Sequence, residues 1–234
     1  MKKGFLAWIM VVAIGFLSAF WVCVRALRDA SVGAAVEVGM RVVVDAGHGG
    51  IDGGVVGRVT KTKESDVNLA LAFALQTELQ EMGFEVTLTR KTEAGLYGTT
   101  ARGFKKRDME RRKEIIEETR PDFILSLHQN FYPSSASRGA QVFYASNSEE
   151  GRKLALQMQT RLNELYKTEG ARGRKASKGD FFMLHCWDCP SILVECGFLS
   201  NAEDERLLCT ETWRKKLAKS LASGLVAYLS ERFV

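Results

Sequence analysis

Apolar and polar positions follow two different periods along most of the chain. Short, continuous apolar runs, which are typical of strands buried on both faces, occur at 41–45, 122–127 and 191–195. The longer segments between them carry apolar residues at every third or fourth position, which is the spacing of an amphipathic helix. The pattern therefore predicts strands and helices that follow each other in turn.

The same pattern places the individual elements. Strands are predicted at 41–45, 84–90, 122–127, 139–146, 181–184 and 191–195, and helices at 65–83, 104–120, 148–166, 201–208 and 211–233. Ser65 or Asp66 is expected to cap the first helix, and Gly83 to end it. Because strands that alternate with helices form a sheet covered on both faces, we expect one α/β domain with a twisted, mostly parallel sheet of about six strands.

The N-terminal segment has a different pattern. An uncharged apolar run covers 4–24, and about 20 such residues are enough for a helix to span a bilayer. The run is longer than the apolar region of a usual signal peptide, and no small-residue cleavage site follows it directly. We predict an uncleaved signal anchor at 1–27, a spacer at 28–39 and a globular domain at 40–234. Cleavage near 31–35 and a buried core helix are the alternatives.

The charge distribution bears on location and partners. Lys2 and Lys3 precede the apolar run and favour a cytoplasmic N-terminus, which places the domain outside the membrane. Of the net charge of +5, +3 lies in the first 30 residues, and the remainder of the chain carries +2. Nucleic-acid-binding domains carry a clustered basic surface, which so small an excess does not supply. We therefore expect no nucleic-acid partner.

The cysteines allow several interpretations. The chain has five, at positions 23, 186, 189, 196 and 209. Cys186 and Cys189 form a CxxC motif, but a redox CxxC is expected to open a helix, and here Pro190 and another apolar run follow. A redox pair, a disulfide and unreactive loop thiols stay open. His185 with these two cysteines is a rival metal site, although the three ligands lie too close in sequence for an easy tetrahedral arrangement.

Polar side chains stand at the ends of three predicted strands. His48 lies just beyond the first strand, in the glycine-rich stretch VVVDAGHGGIDGG, and His128 lies just beyond the third. Glu195 ends the last predicted strand, and Glu64 precedes the first helix. Ligands of open α/β sheets bind beyond the carboxyl ends of the strands. We therefore expect these four side chains at one edge of the sheet.

Two imidazoles and one carboxylate form the ligand set of a catalytic zinc ion, which keeps a fourth position for water. The glycines around His48 let the backbone approach a metal or a substrate closely. Simpler explanations exist for single residues, because Glu64 can complement a helix N-terminus and His128 can be an ordinary polar residue. From the residues alone, a metal site and a set of structural polar groups both remain open.

Four ordered motifs resemble the N-acetylmuramoyl-L-alanine amidase family of the zinc-dependent Amidase_3 type. They are VVVDAGHGGIDGG, KESDVNLAL, ILSLHQN and ILVECGFLSNAEDERLL, and the resemblance covers residues 41 to about 230. Three positions depart from the family pattern: Ala46 replaces a usual proline, Gln129 a small residue and Glu117 a frequent asparagine. None of them is a proposed ligand, and Arg112 has the family's spacing.

The resemblance implies a reaction and a role for each site residue. The enzyme would hydrolyse the amide between the lactyl group of N-acetylmuramic acid and L-alanine in peptidoglycan. His48, Glu64 and His128 would bind Zn²⁺, and Glu195 would be the catalytic carboxylate. Asp45 would either orient His48 or serve as a strand-end turn residue.

The layout of an anchor, a short spacer and a bare catalytic domain is most similar to the germination-specific, CwlD-type spore cortex amidases. This resemblance implies removal of peptides from cortex muramic acid, towards muramic δ-lactam, in the space between mother cell and forespore. The implied partners are a polysaccharide deacetylase that acts next and, in some spore formers, a lipoprotein activator. A vegetative cell-wall amidase of division or turnover is the alternative.

Two interpretations belong to other classes of protein. One is a peptidoglycan-binding module that has lost catalysis, but its expected signature is a missing site residue, and all four are present. The other is a membrane-tethered redox protein that uses Cys186 and Cys189. A variant that lacks both cysteines and keeps full activity would exclude it.

Overall fold

The continuous apolar runs of the sequence become the central strands of one sheet. The computed structural model describes residues 39–232, and within this range it contains six strands, five α-helices and one 3-10 helix. The strands are β1 Arg41–Ala46, β2 Glu85–Leu88, β3 Phe123–Asn130, β4 Gln141–Tyr144, β5 Ser177–Lys178 and β6 Ser191–Phe198. The α-helices are α1 Glu64–Glu81, α2 Phe104–Thr119, α3 Glu149–Lys167, α4 Ala202–Leu208 and α5 Glu211–Arg232.

The sheet is mixed, with the strand order β2-β1-β3-β6-β4-β5. Strands β2, β1, β3 and β6 run parallel to one another, whereas β4 is antiparallel to β6 and β5 is parallel to β4. The expectation of a mostly parallel sheet is therefore wrong at the β4–β5 side. A parallel pair of strands needs a crossover connection, usually a helix, that returns the chain to the starting edge of the sheet. No helix lies between β3 and β4, so β4 runs back in the opposite direction.

Helices cover both faces of the sheet, as predicted. On one face, α1, α3 and α5 enclose the main core, in which Val42 and Val44 of β1 and Leu125 of β3 pack against Leu71 and Leu75 of α1. On the other face lie α2 and the 3-10 helix, Phe182–His185. There the alternate residues Val43 and Ile124 pack with Ile116 and Met183. This second layer is thinner, and the candidate site opens beside it.

Two local predictions are wrong. Residues 181–184, predicted as a strand, belong mostly to the 3-10 helix, because Met183 and Leu184 are buried in two separate small apolar clusters on the sheet face. Helix α1 has Lys63 at its N-cap with no side-chain cap, rather than Ser65 or Asp66. Gly83, with a φ of 90°, follows the last turn of α1 as expected.

The predicted anchor at 1–27 and most of the spacer at 28–39 lie outside the described residues. Within 39–232, no helix combines the length and the apolar character that a membrane crossing requires.

Candidate metal centre and active site

The glycine-rich loop after β1 brings His48 next to His128. His48 has a φ of 62°, in the left-handed region that non-glycine residues rarely adopt, so its conformation is imposed by the surrounding loop. A Cβ atom on Gly47 would lie 2.4 Å from the ring of His128. The lack of side chains in this loop therefore lets its backbone lie against the imidazole of His128 while the loop carries the imidazole of His48.

Both imidazoles converge on one carboxylate oxygen. His128 Nδ1 lies 2.9 Å from Glu64 Oε1, and His48 Nε2 lies 3.3 Å from the same atom. The two rings are 5.0 Å apart and nearly perpendicular. One ligand atom from each of the three residues falls within 4.8 Å of the others. The three predicted ligands are thus brought together from β3, the β1 loop and the first residue of α1.

Glu64 is held rigidly and kept charged. Its Oε2 accepts a hydrogen bond from Val55 N at 2.9 Å, and its Oε1 accepts one from Gln129 N at 3.0 Å. Burial raises the pKa of Glu64, but the contacts with His128 and His48 outweigh it and hold the pKa well below its usual range. The carboxylate therefore stays ionised at neutral pH and is available as a ligand.

Asp52 and Arg112 fix His48 from two sides. Asp52 Oδ2 lies 3.2 Å from His48 Nδ1, and Arg112 Nη2 donates to the carbonyl oxygen of His48 at 2.7 Å. Burial lowers the pKa of His48, but the carboxylates of Glu64 and Asp52 outweigh it, so the pKa lies above its ordinary value. The electrostatic potential at the imidazole of His48 is therefore negative, and a negative potential stabilises a bound cation.

Glu195 stands beside this group. It is the register partner of His128 on the neighbouring strand β6, so both side chains leave the same face of the sheet. Its Oε2 atom is buried and has no hydrogen-bond partner within residues 39–232. Burial, supported by the negative charge of Glu64, raises the pKa of Glu195 to about 7. A carboxyl group with this pKa exchanges protons readily near neutral pH.

The residues present fit a divalent metal ion. His48, Glu64 and His128 supply two imidazole nitrogens and one ionised carboxylate, and Glu195 places a buried oxygen with a free lone pair next to them. Three protein ligands with space for a further group are typical of catalytic rather than structural metal sites. The arrangement can therefore hold a metal ion and assist proton transfer beside it.

A buried ionic network supports the loop from below. Asp45 accepts hydrogen bonds from Arg112, from Ser126 Oγ at 2.6 Å and from Thr89 Oγ1 at 2.8 Å. Burial raises the pKa of Asp45, but Arg112 and these hydroxyl groups outweigh it and hold the pKa below its ordinary value. Asp45 does not bind the imidazole of His48 directly, so it orients that residue only through Arg112.

Sequence reasoning missed two supporting residues. Arg90 donates to the carbonyl oxygens of Ala46, Gly47 and Ser65, which ties the loop after β1 to the start of α1. Asp52, described above, is the second. Only weak signals pointed to them: Arg90 lies at the end of a predicted strand, and Asp52 is the charged residue four positions after His48.

An apolar cleft adjoins the candidate metal centre. It has a volume of about 210 Å³ and reaches His48 and His128 at one end. Phe181, Phe182 and Met183 form one wall, and the side chain of Phe182 is 47% exposed. A mostly apolar cleft with a few convergent polar groups is the usual form of a ligand site.

The rival site is not formed. His185 pairs with Asp180 at 3.2 Å, and in the part of the chain that the structure describes, His48, Glu64 and His128 are the group that converges as metal ligands do. Cys186 and Cys189 are free thiols. Burial raises the pKa of each thiol to about 11, so both stay protonated at neutral pH. No reactive thiolate is therefore available there at neutral pH.

An open α/β sheet edge with a convergent His–Glu–His group and an adjacent buried carboxylate is characteristic of a metal-dependent hydrolase. The model of the N-acetylmuramoyl-L-alanine amidase family matches residues 42–227. The chain belongs to this family and is a peptidoglycan amidase.

Individual relatives agree. The chain is 34% identical to the germination-specific N-acetylmuramoyl-L-alanine amidase of Bacillus subtilis, over 83% of this chain and 81% of that protein. It is 28% identical to the amidase AmiA of Escherichia coli, over 81% of this chain and 76% of that protein. The CwlD amidase from Clostridioides difficile, solved in complex with the GerS lipoprotein, matches with a TM-score of 0.76 and 33% identity, over 82% of this chain and 99% of that one.

Proposed function

We propose that this amidase is zinc-dependent, with His48, Glu64 and His128 as the metal ligands and Glu195 as the catalytic carboxylate. The observation that carries the proposal is the convergence of both imidazoles on Glu64 Oε1, with the unpartnered Oε2 of Glu195 beside them. Two imidazoles and one carboxylate suit zinc better than magnesium or calcium, which prefer oxygen ligands.

The chain's residues divide the chemistry between them. When bound, zinc polarises the amide carbonyl and lowers the pKa of water to about 7. The carboxylate of Glu195 accepts the proton that water loses as it adds to the carbonyl carbon. Glu195 then returns this proton to the L-alanine nitrogen as the C–N bond breaks.

One experiment tests both roles. The full chain and its Glu195→Gln variant are purified, their metal content is counted, and each is incubated with peptidoglycan whose products are read by mass spectrometry. We expect about one zinc per chain in both proteins and free peptides that begin with L-alanine from the unmodified chain alone. Activity without any bound metal would refute the zinc site, and full activity of Glu195→Gln would refute the role of Glu195.

We further infer a role in the spore cortex, as the first step towards muramic δ-lactam. This rests on the similarity to the germination-specific amidase and to the CwlD amidase. By the same similarity, the domain acts outside the cytoplasm, where the segment at 1–27 either tethers it to the membrane or is cleaved to release it. A polysaccharide deacetylase then acts on the product of the amidase. Faster cleavage of cortex than of vegetative peptidoglycan would support this role, and equal rates would favour the vegetative alternative.

A lipoprotein partner follows from the same comparison. The CwlD amidase was solved with the GerS lipoprotein, and the chain covers 99% of that amidase. We propose that a lipoprotein of this kind binds and activates the present chain. We expect a lipoprotein of the same spore former to raise the rate at which the zinc-loaded chain releases peptides, and an unchanged rate would count against this partner.

A further inference from the structure

A row of polar side chains continues from Glu195 away from the metal centre. Gln141 of β4 is the register partner of Glu195, so the two side chains leave the same face of the sheet on neighbouring strands, about 5 Å apart. Gln141 Oε1 lies 3.4 Å from Arg174 Nη1. The row therefore leads from the proton donor on β6 to an arginine beyond β4.

The direction of this row matches the side of the site on which the peptide product leaves. In the proposed function, on which this inference rests, Glu195 protonates the L-alanine nitrogen, so the peptide product leaves on the Glu195 side of the metal centre. The ligands His48 and His128 lie on the opposite side, towards β1 and β3. The side of the site that faces β4 is therefore the side on which the peptide beyond L-alanine has space to lie.

A basic groove lies at the end of this row. It has a volume of about 490 Å³ and is formed by the loops at 136–138 and 170–174. Three arginines line it: Arg138, Arg172 and Arg174. Neither Arg172 nor Arg174 forms an ion pair with a carboxylate of residues 39–232, so their charges are available to a ligand.

The arginines are held in place before any ligand arrives. Arg174 stacks on the ring of Phe198 at 4.6 Å, and its Nε donates to the carbonyl oxygen of Arg138 at 2.8 Å. Arg138 Nε donates to Asp204 Oδ1 at 3.1 Å, while its buried Nη2 finds no partner among the described residues. A fixed guanidinium with spare donors is suited to bind a carboxylate through two hydrogen bonds.

We propose that this groove is a carboxylate-binding subsite for the peptide of the substrate, with Arg174 as its specificity-determining residue. The spacing agrees with this role. An extended peptide advances about 3.3 Å per residue, so the second and third residues begin about 3 and 7 Å from the scissile nitrogen, and the carboxylates they carry extend this reach to about 10 Å. Two strand spacings, from β6 to β5, cover about the same length. Acidic groups on the second or third residue therefore reach Arg174.

Two synthetic substrates test the proposal with the full, zinc-loaded chain. Both are muramoyl peptides that begin with L-alanine, and they differ only at the second residue, which is D-glutamate with a free α-carboxylate in one and D-isoglutamine in the other. We expect the unmodified chain to prefer the free carboxylate by about 10- to 100-fold in kcat/KM, through KM, as a charge-assisted hydrogen bond supplies.

Three variants separate recognition from folding. Arg174→Gln should bring the preference close to one, and Arg174→Lys should keep part of it because the charge remains. Arg161→Gln, which removes a half-buried arginine of α3 paired with Glu164, should keep the full preference. Equal losses of Arg174→Gln on both substrates, or an unchanged preference, would overturn the proposal.

A binding measurement distinguishes failure of the subsite from failure of the proposed function. The free dipeptides L-Ala-D-Glu and L-Ala-D-isoGln are titrated into the ¹⁵N-labelled chain, and the arginine side-chain resonances are followed by NMR. Tighter binding of the acidic dipeptide, lost in Arg174→Gln, supports the subsite even if the chain turns over neither substrate. Equal binding of the two dipeptides overturns the subsite, whether or not the chain is active.

Discussion

A methyl group on Gly47 would stand 2.4 Å from the ring of His128, far inside van der Waals contact. Gly47 does not adopt a left-handed conformation, so the backbone itself accepts alanine there. The absence of a side chain at this position is therefore required by the imidazole and not by the chain's own geometry. This separates the requirements of the metal centre from those of the fold.

Gly47→Ala should displace His128 and weaken zinc binding with little loss of stability. Changes that misplace a metal ligand typically cost 10- to 100-fold in metal affinity. The measurement is a zinc titration against a competing chelator, together with thermal unfolding of the metal-free chain. Gly98→Ala is the control, because Gly98 has a φ of 68° and open space around it. That variant should lose stability and keep its zinc affinity, and the reverse pattern would contradict the argument.

Much of this site follows from the sequence because buried parallel strands end where ligands bind. The runs that became β1, β3 and β6 are largely apolar on both faces, and a candidate site residue follows each run at the same edge. His48, His128 and Glu195 were therefore predictable as neighbours. The geometry of the loop was not predictable. The positive φ of His48 depends on Arg112, which is distant in sequence, and on Asp52, whose side-chain direction the sequence does not reveal.

The errors in the fold have equally specific causes. A four-residue apolar run such as 181–184 has the same composition in a strand and in a buried helical turn, so length alone could not decide between them. Strand β5 has only two residues, and it lies within a stretch of basic and small residues that carries no strand pattern. The direction of β4 depends on its pairing with β6, a long-range contact that periodicity does not encode.

Arg112→Met should destabilise the domain strongly, because it leaves Asp45 buried without its cation. Both side chains are almost fully buried, and breaking one partner of such a pair typically costs about 3–5 kcal/mol. Urea unfolding at neutral pH measures this loss. Arg111→Met is the matched control, since Arg111 is an exposed neighbour with only surface partners and its loss should leave stability unchanged.

The pH dependence of the same pair has a definite sign. The folded pKa of Asp45 lies below its ordinary value, so its contribution to stability is present above that ordinary value and is lost as the pH falls through the lowered one. The difference in stability between the unmodified chain and Arg112→Met should therefore be largest at neutral pH and shrink in acid. A difference that is constant with pH would show that packing, and not charge, holds this pair.

Removal of the metal should abolish activity and lower the melting temperature. A ligand that binds only the folded state at 100 times its Kd stabilises that state by about 2.7 kcal/mol. Dialysis against a chelator, followed by unfolding and activity assays with and without added zinc, measures both effects. In His48→Ala, added zinc should no longer raise the melting temperature. Activity that survives complete removal of metal would refute the ligand set.

Glu205→Gln should loosen the loop that follows the glycine-rich stretch. The buried carboxylate of Glu205 accepts hydrogen bonds from Val59 N at 2.9 Å, from Thr60 N at 2.5 Å and from Thr60 Oγ1 at 2.6 Å. In the glutamine variant, the side-chain NH₂ group faces some of these N–H and O–H donors, which then lack an acceptor. A buried donor without an acceptor costs about 1–3 kcal/mol of stability. Glu203→Gln is the control, because Glu203 is exposed and pairs only with Arg206 at 3.8 Å.

Acidification distinguishes the charge of Glu205 from its shape. Burial raises the pKa of Glu205, but the hydrogen bonds from Thr60 and the backbone outweigh it, so the folded pKa is lower than usual. Its contribution is therefore present above the ordinary pKa of a glutamate and is lost as the pH falls through the lowered value. Urea unfolding of both chains from pH 7 to pH 3 should show the gap between them closing. A gap that stays constant or widens in acid would mean that the loop does not depend on the ionised carboxylate.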